Sequence, residues 1–190
     1  MSEVNRIGDE ETFLPNPPSS QREALEVFDA APPVDPESML GVWCGAEVPT
    51  GHRLDGLLAA SGWWGKEFVD SETVHPLVFR RNGAFWAMNP QWLPMSAALK
   101  IPVPRSAGPL IRAGVTVLRP ALATRRPRAR LRTVALRGVS TAAMVYDQLP
   151  IIDVFRKIDD DTVIGAMDVR GTPQLYFFAL KRRTDIPRAI

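Results

Sequence analysis

The last third of the chain breaks into short extended segments, and that rhythm constrains the fold more than any other feature. Residues 128–137, 139–146, 151–158, 162–170 and 175–183 are rich in β-branched and aromatic residues. Gly138, Leu149-Pro150, Asp159-Asp160-Asp161 and Gly171-Thr172-Pro173 separate them, all of them residue types that favour turns. Connections this short cannot carry a crossover, so consecutive strands pair antiparallel. Residues 39–48, 74–81 and 84–88 read as three earlier strands. Asn82-Gly83 joins the last two, and Asn-Gly between apolar runs is a strong hairpin signal because both residues accept positive φ. About eight short strands in a meander predict a mainly β chain. The expected architecture is an up-and-down antiparallel barrel, which leaves no open edge and is wide enough for one small ligand. A curved antiparallel sheet or a sandwich is the alternative.

The remaining segments punctuate this pattern. Residues 1–19 are polar and end in Pro15, Pro17 and Pro18, which predicts a disordered tail. Ser19 or Ser20 can cap a short helix over 21–30, stopped by Pro32, Pro33 and Pro36. Leu54, Leu57 and Leu58 mark a short helix that ends at Gly62, and Thr50 is placed to cap it. Trp63-Trp64-Gly65-Lys66 leads into extended chain, with Lys66 expected at the surface. Seven prolines interrupt residues 89–127, where two helical pieces, 91–99 and 109–118, remain. One domain over 20–190 follows: a first half at 39–88, a Pro-rich helical insertion at 89–127 and C-terminal strands at 128–183.

Charge is uneven. The net charge is +2, yet no Asp or Glu occurs between Glu72 and Asp147, a stretch with Lys100 and eleven arginines. Arg105, Arg112, Arg119 and Arg126 recur beside an apolar stripe of Ile111, Val115, Leu118 and Leu122. Long arginine stems beside apolar surface suit a boundary between apolar and aqueous phases. This predicts either a packed helix or contact with an anionic membrane surface through Arg112, Arg119 and Arg126. Nucleic acid is not expected, because Arg130 and Arg132 alternate as one face of a strand. The single cysteine, Cys44, excludes an internal disulfide. No apolar run is long enough to span a bilayer, and the acidic start lacks a signal-peptide pattern. A cytoplasmic location, with peripheral membrane contact, is the expectation.

Gly41-Val42-Trp43-Cys44-Gly45 fits the pattern GXWXG. Thr50-Gly51-His52, Trp64-Gly65-Lys66 and Val74-His75-Pro76-Leu77 follow in order. This set resembles the GXWXG protein family. Further on stand Ala129-Arg130-Leu131-Arg132, Arg137-Gly138, Tyr146-Asp147, Pro150-Ile151-Ile152-Asp153, Phe155-Arg156 and Met167-Asp168. These resemble the domain of unknown function, of the DUF4334 type, that follows GXWXG in those proteins. The resemblance spans roughly residues 37–183 and brings no settled activity with it. A G-x-W opening strand is also similar to those of lipocalins, fatty-acid-binding proteins and nitrobindin-like barrels. That analogy implies a calycin-like barrel.

Chemistry-bearing residues are few. Trp43 is expected to plug the closed end of the barrel. On strand alternation Ile151, Asp153 and Phe155 share one face and Ile152, Val154 and Arg156 the other. A carboxylate between two large apolar residues needs a partner, and Arg130 or Arg132 on a neighbouring strand is the expectation. Trp43, Trp64, His75, Arg130, Arg132, Tyr146, Asp153 and Arg156 are the candidate ligand-binding residues. No nucleophile elbow, phosphate loop or metal-binding spacing is present, so no catalytic residue, metal or cofactor is assigned. A haem on His52 or His75 is a lesser reading, by analogy with nitrobindin-like barrels. The expected function is a binding protein that holds a small hydrophobic or amphipathic ligand, such as a fatty acid or lipid. The alternative is a small-molecule isomerase or hydrolase that uses Asp153, Tyr146 or His75 in the cavity.

Overall fold

The computed structural model describes residues 13–92 and 105–190. Helix α1 (Gln21–Ala30) opens with Ser20 as its cap, whose side chain accepts the Glu23 amide. A 3-10 turn (Pro36–Met39) leads into β1 (Gly41–Glu47), and α2 (Leu57–Ser61) precedes β2 (Trp63–Phe68). The hairpin β3 (Val74–Arg81) and β4 (Ala84–Met88) turns at Asn82-Gly83, both with positive φ. Helix α3 (Gly108–Leu122) and the short β5 (Ala123–Thr124) complete the insertion. Five strands finish the chain: β6 (Ala129–Leu136), β7 (Val139–Tyr146), β8 (Ile151–Lys157), β9 (Thr162–Val169) and β10 (Tyr176–Arg182).

All strand pairs are antiparallel, in the order β2-β1-β10-β9-β8-β7-β6-β3, and a pairing between β2 and β3 closes the ring. The fold is thus a closed eight-strand barrel, with β4 and β5 attached outside the ring to β3. A curved open sheet and a sandwich are set aside by the β2–β3 closure. The expected number of strands holds for the ring, but its membership differs. Residues 63–68, expected only as extended chain, are a ring strand, whereas 84–88 lie outside it.

Two apolar clusters flank the wall. The inner one includes Trp43, Trp63, Phe68, Leu131, Met144, Phe155 and Phe178. The outer one joins Ala24 and Phe28 of α1 to Val154, Ile164 and Phe177. Of the expected tail, residues 1–12 lie outside the described residues, and Leu14 is buried in this outer cluster. The helix expected over 91–99 lies outside the described residues beyond the 3-10 turn Pro90–Trp92.

The second glycine of the GXWXG pattern has a packing reason. A Cβ on Gly45 would enter the Trp63 ring, so the indole crosses the strand only where the side chain is missing. Trp43 is buried and donates from Nε1 to the Met39 carbonyl at 2.8 Å, while Arg182 stacks on its ring with 4.2 Å to the centroid.

Candidate functional site: a polar cluster in the barrel end

Trp63 opens β2, Ile151 opens β8, Tyr176 opens β10 and Tyr146 closes β7. Antiparallel pairing brings these strand ends to one end of the barrel, away from Trp43, which pairs with the last residue of β10. They line a cavity of about 60 Å³ with Lys66, Asp153, Phe178 and Met167. Leu54, Leu57 and Leu58 of the α2 segment, with Leu149, form its apolar rim.

At its centre the Lys66 Nζ donates to Asp153 Oδ2 at 2.8 Å, with both side chains at most 3% exposed. Lys66 also donates to the Pro76 carbonyl at 3.3 Å. Its ammonium lies 4.9 Å from the Phe178 ring centroid and 5.4 Å from that of Trp63, so aromatic faces help to hold the charge. Burial pushes the Asp153 carboxyl above the usual carboxylate range, and Lys66 opposes that shift. Burial, with the Asp153 charge adding to it, also pushes the Tyr146 hydroxyl well up.

Sequence alternation put Asp153 on the face of Ile151 and Phe155, and that face is the barrel interior. Its partner is a correction. Arg130 pairs with Asp147 at 2.9 Å and Arg132 with Glu72 at 2.6 Å, both on the exposed side of the wall. Residues of β6 alternate, so both arginines point outward while Ala129 and Leu131 point in. Lys66, expected at the surface, is the ion-pair partner instead. Its neighbours Gly65 and Trp64 concealed this, because the β2 strand they belong to is recognised only when the ring closes.

The other expected residues lie apart from the cavity. Arg156 is buried beneath α1, 5.1 Å from the Phe28 ring centroid. Trp64 packs outside against Phe85 at 4.7 Å. His75 is buried on the outward side of β3. His52 accepts the Leu54 amide through Nδ1 at 3.1 Å and lies against Tyr176. Thr50, expected to cap the segment after Gly51, accepts from Gln21 Nε2 at 2.6 Å instead. The Asp55 carboxylate closes this turn ahead of α2, taking the amides of Thr50, Gly51 and His52. Two of the three arginines expected to face an anionic surface make contacts within the protein. Arg112 donates to the Ala59 carbonyl at 2.9 Å, and Arg119 stacks on Trp86. Arg126 is exposed.

Sequence reasoning missed Trp63 and Tyr176 as cavity residues. Asp153 Oδ1 and Trp63 Nε1 are buried without a hydrogen-bond partner among the described residues, whereas the Tyr176 hydroxyl lies against the Glu47 carboxylate. Both unpartnered atoms belong to side chains that line the cavity. Buried polar atoms are nearly always paired, so an acceptor and a donor left over in one small cavity mark a site able to receive a donor and an acceptor. Among the described residues no group of three His, Cys, Asp or Glu could hold a metal, and no helix is long and apolar enough to cross a membrane.

Two family models match the chain: GXWXG protein over residues 26–83, and the domain of unknown function DUF4334 over residues 127–182. No curated protein matches. A crystal structure of a protein from Thermomonospora curvata is 35% identical, with 84% of each chain covered and a TM-score of 0.61. The chain belongs to the family of GXWXG proteins whose C-terminal part is the DUF4334 domain.

Proposed function

We propose that the protein binds a small amphipathic molecule at this end of the barrel, with a polar head in the cavity and an apolar body at its leucine rim. The observation that carries this is the convergence of Asp153 Oδ1 and Trp63 Nε1, each lacking a partner among the described residues. The head is best neutral. Lys66 and Asp153 already cancel, and an added bare charge in so dry a place would lose its hydration without a counter-charge. A hydroxyl or carbonyl meets the Trp63 donor and, for a hydroxyl, the Asp153 acceptor as well. A cavity of about 60 Å³ admits a head of a few atoms. The rest of the molecule would lie under Leu57 and Leu58, so α2 acts as the cover.

Tryptophan fluorescence and calorimetry with 1-decanol and decanoate test this. The alcohol is expected to bind more tightly than the carboxylate. Trp63→Phe should weaken the alcohol by about fivefold or more, the size of one neutral hydrogen bond. No binding of either probe, or a tighter carboxylate, would remove the reading.

A second reading, proton transfer by Asp153, rests on the raised carboxyl of that residue beside Tyr146. An Asp153→Asn variant that still binds the alcohol shows the carboxylate is not needed for the ligand, and leaves it its pairing with Lys66 and this second reading.

A further inference from the structure

A second concavity lies outside the barrel wall, between the β3–β4 hairpin, the end of α3 with β5, and the C-terminal segment. Its volume is about 840 Å³, in the range of sites that take small organic molecules. It shares no residue with the barrel cavity.

The side chains that line it carry charge of one sign. Arg119, Arg125 and Arg188 line it, and no Asp or Glu side chain does. Arg119 and Arg125 have no carboxylate partner among the described residues, while Arg188 is already taken, its Nε donating to the main-chain carboxylate of Ile190 at 2.8 Å. Glu67, the acidic residue behind this wall, is buried and accepts the amides of Ala189 and Ile190. His75 also lines the groove. It is only 2% exposed, and its Nδ1 is buried without a partner among the described residues. Phe85 and Trp86 supply an aromatic wall. The Arg119 guanidinium lies 5.6 Å from the Trp86 ring centroid, so its planar fork is held in place rather than swinging in solvent. A groove with guanidinium forks, an unpaired imidazole nitrogen and an aromatic wall fits a particular class of molecule. It is an organic anion with a flat apolar body.

We infer that this groove is a second binding site, for a small aromatic carboxylate or phosphate ester. The anion meets Arg119 and Arg125, and the body lies against Phe85 and Trp86. The Nδ1–H tautomer of His75 adds a donor. Carboxylate and phosphate share the fork geometry of arginine, so the probes separate them.

The test is titration of the full chain with 1-naphthoate, 1-naphthyl phosphate, neutral 1-naphthol and inorganic phosphate, followed by calorimetry and by NMR of the indole and imidazole signals. The expected result is binding of one or both naphthyl anions, with shifts at Trp86 and His75 and weakening by salt. Naphthol and inorganic phosphate should each bind more weakly by about tenfold or more, the size of a charge-assisted hydrogen bond or of the lost ring contact. Arg125→Gln, at an exposed position that cannot disturb the core, should weaken the anion similarly. Arg130→Gln, which removes the same charge elsewhere, should leave binding unchanged. The inference is overturned by shifts at Trp63 instead of Trp86, by equal binding of naphthol, by inorganic phosphate binding as tightly as the naphthyl anions, by equal losses in the two arginine variants, or by no binding.

Discussion

Removing the Asp153 carboxylate would leave the Lys66 ammonium buried among Trp63, Tyr146 and Phe178 with only the Pro76 carbonyl to answer it. The pair itself contributes little net stability, because both ions lost their water, but half a pair is costly. Asp153→Asn is therefore expected to destabilise by about 3–5 kcal/mol in urea unfolding, and the double change Lys66→Met with Asp153→Leu to recover most of that. A loss under about 1 kcal/mol in the single variant would mean that Lys66 leaves the interior at little cost. At this scale the sequence was half legible. Asp153 could be placed inside because its own strand alternates cleanly between Ile151 and Phe155. Lys66 could not, because both faces of β2 are buried: Lys66 points in, and Glu67 points out beneath Ala189 and Ile190. Alternation cannot separate two buried faces that each carry a charge.

The α2 segment shows how a short element is held by charges rather than by its own turns. It has only five residues, and its N-terminal amides are taken by Glu47, whose carboxylate accepts from Gly56 and, at 3.3 Å, from Ala59. Burial raises the Glu47 carboxyl above its ordinary value of 4.5, although the two amides oppose the shift. A carboxyl with a raised folded pKa is protonated more readily in the folded chain than in the unfolded one. Its contribution is thus fully present below 4.5 and declines as pH rises through the folded value. Glu47→Gln should flatten this limb, so that the stability difference, variant minus wild type, grows with pH just above 4.5 and is level at neutral pH. Urea unfolding at several pH values checks it, and a difference independent of pH would mean that Glu47 is not the titrating group. Helix α3 is the other instructive element. Sequence spacing joined Ile111, Val115, Leu118 and Leu122 into one stripe. Val115 and Leu122 do pack on the core, but Leu118 turns outward with Leu110 and Val117, the latter two 77% and 75% exposed. Apolar residues occur on both sides of this helix, so hydrophobic periodicity alone does not give its orientation.

The ring as a whole closes through two kinds of seam, and they differ in strength. Consecutive strands from β6 to β10 each pair with their chain neighbour, with eight registered residue pairs between β6 and β7, seven between β8 and β9, six between β9 and β10 and three between β7 and β8. These were the strands legible from turn residues, because each pairs with its neighbour in the chain. The seams that the sequence hid join distant segments. One of them, β1 to β10, is still long, with five pairs from Trp43–Arg182 to Glu47–Phe178. The other, β3 to β6, has a single registered pair, Val74 with Ala129. Two backbone bonds extend it, from the Arg128 amide to the Val74 carbonyl at 3.0 Å and from the Leu131 amide to the Ser71 carbonyl at 2.9 Å. Here the chain leaves the ring for β4, α3 and β5 and returns, so the meander is interrupted and few ladder bonds resist opening. Cooperative units with few shared bonds open first. The amides of Arg128 and Leu131 should therefore exchange with solvent well before those at the centre of β8 and β9, in native-state hydrogen exchange of the whole chain. The side chains of Ala129 and Leu131 are buried at this seam, so exposure to solvent in the closed barrel cannot be the cause of fast exchange. Opening of the β3–β6 seam would have to supply it. Equal protection at Arg128, Leu131 and the β8–β9 amides would show instead that the ring opens only by global unfolding, with side-chain packing across the seam replacing the missing ladder bonds.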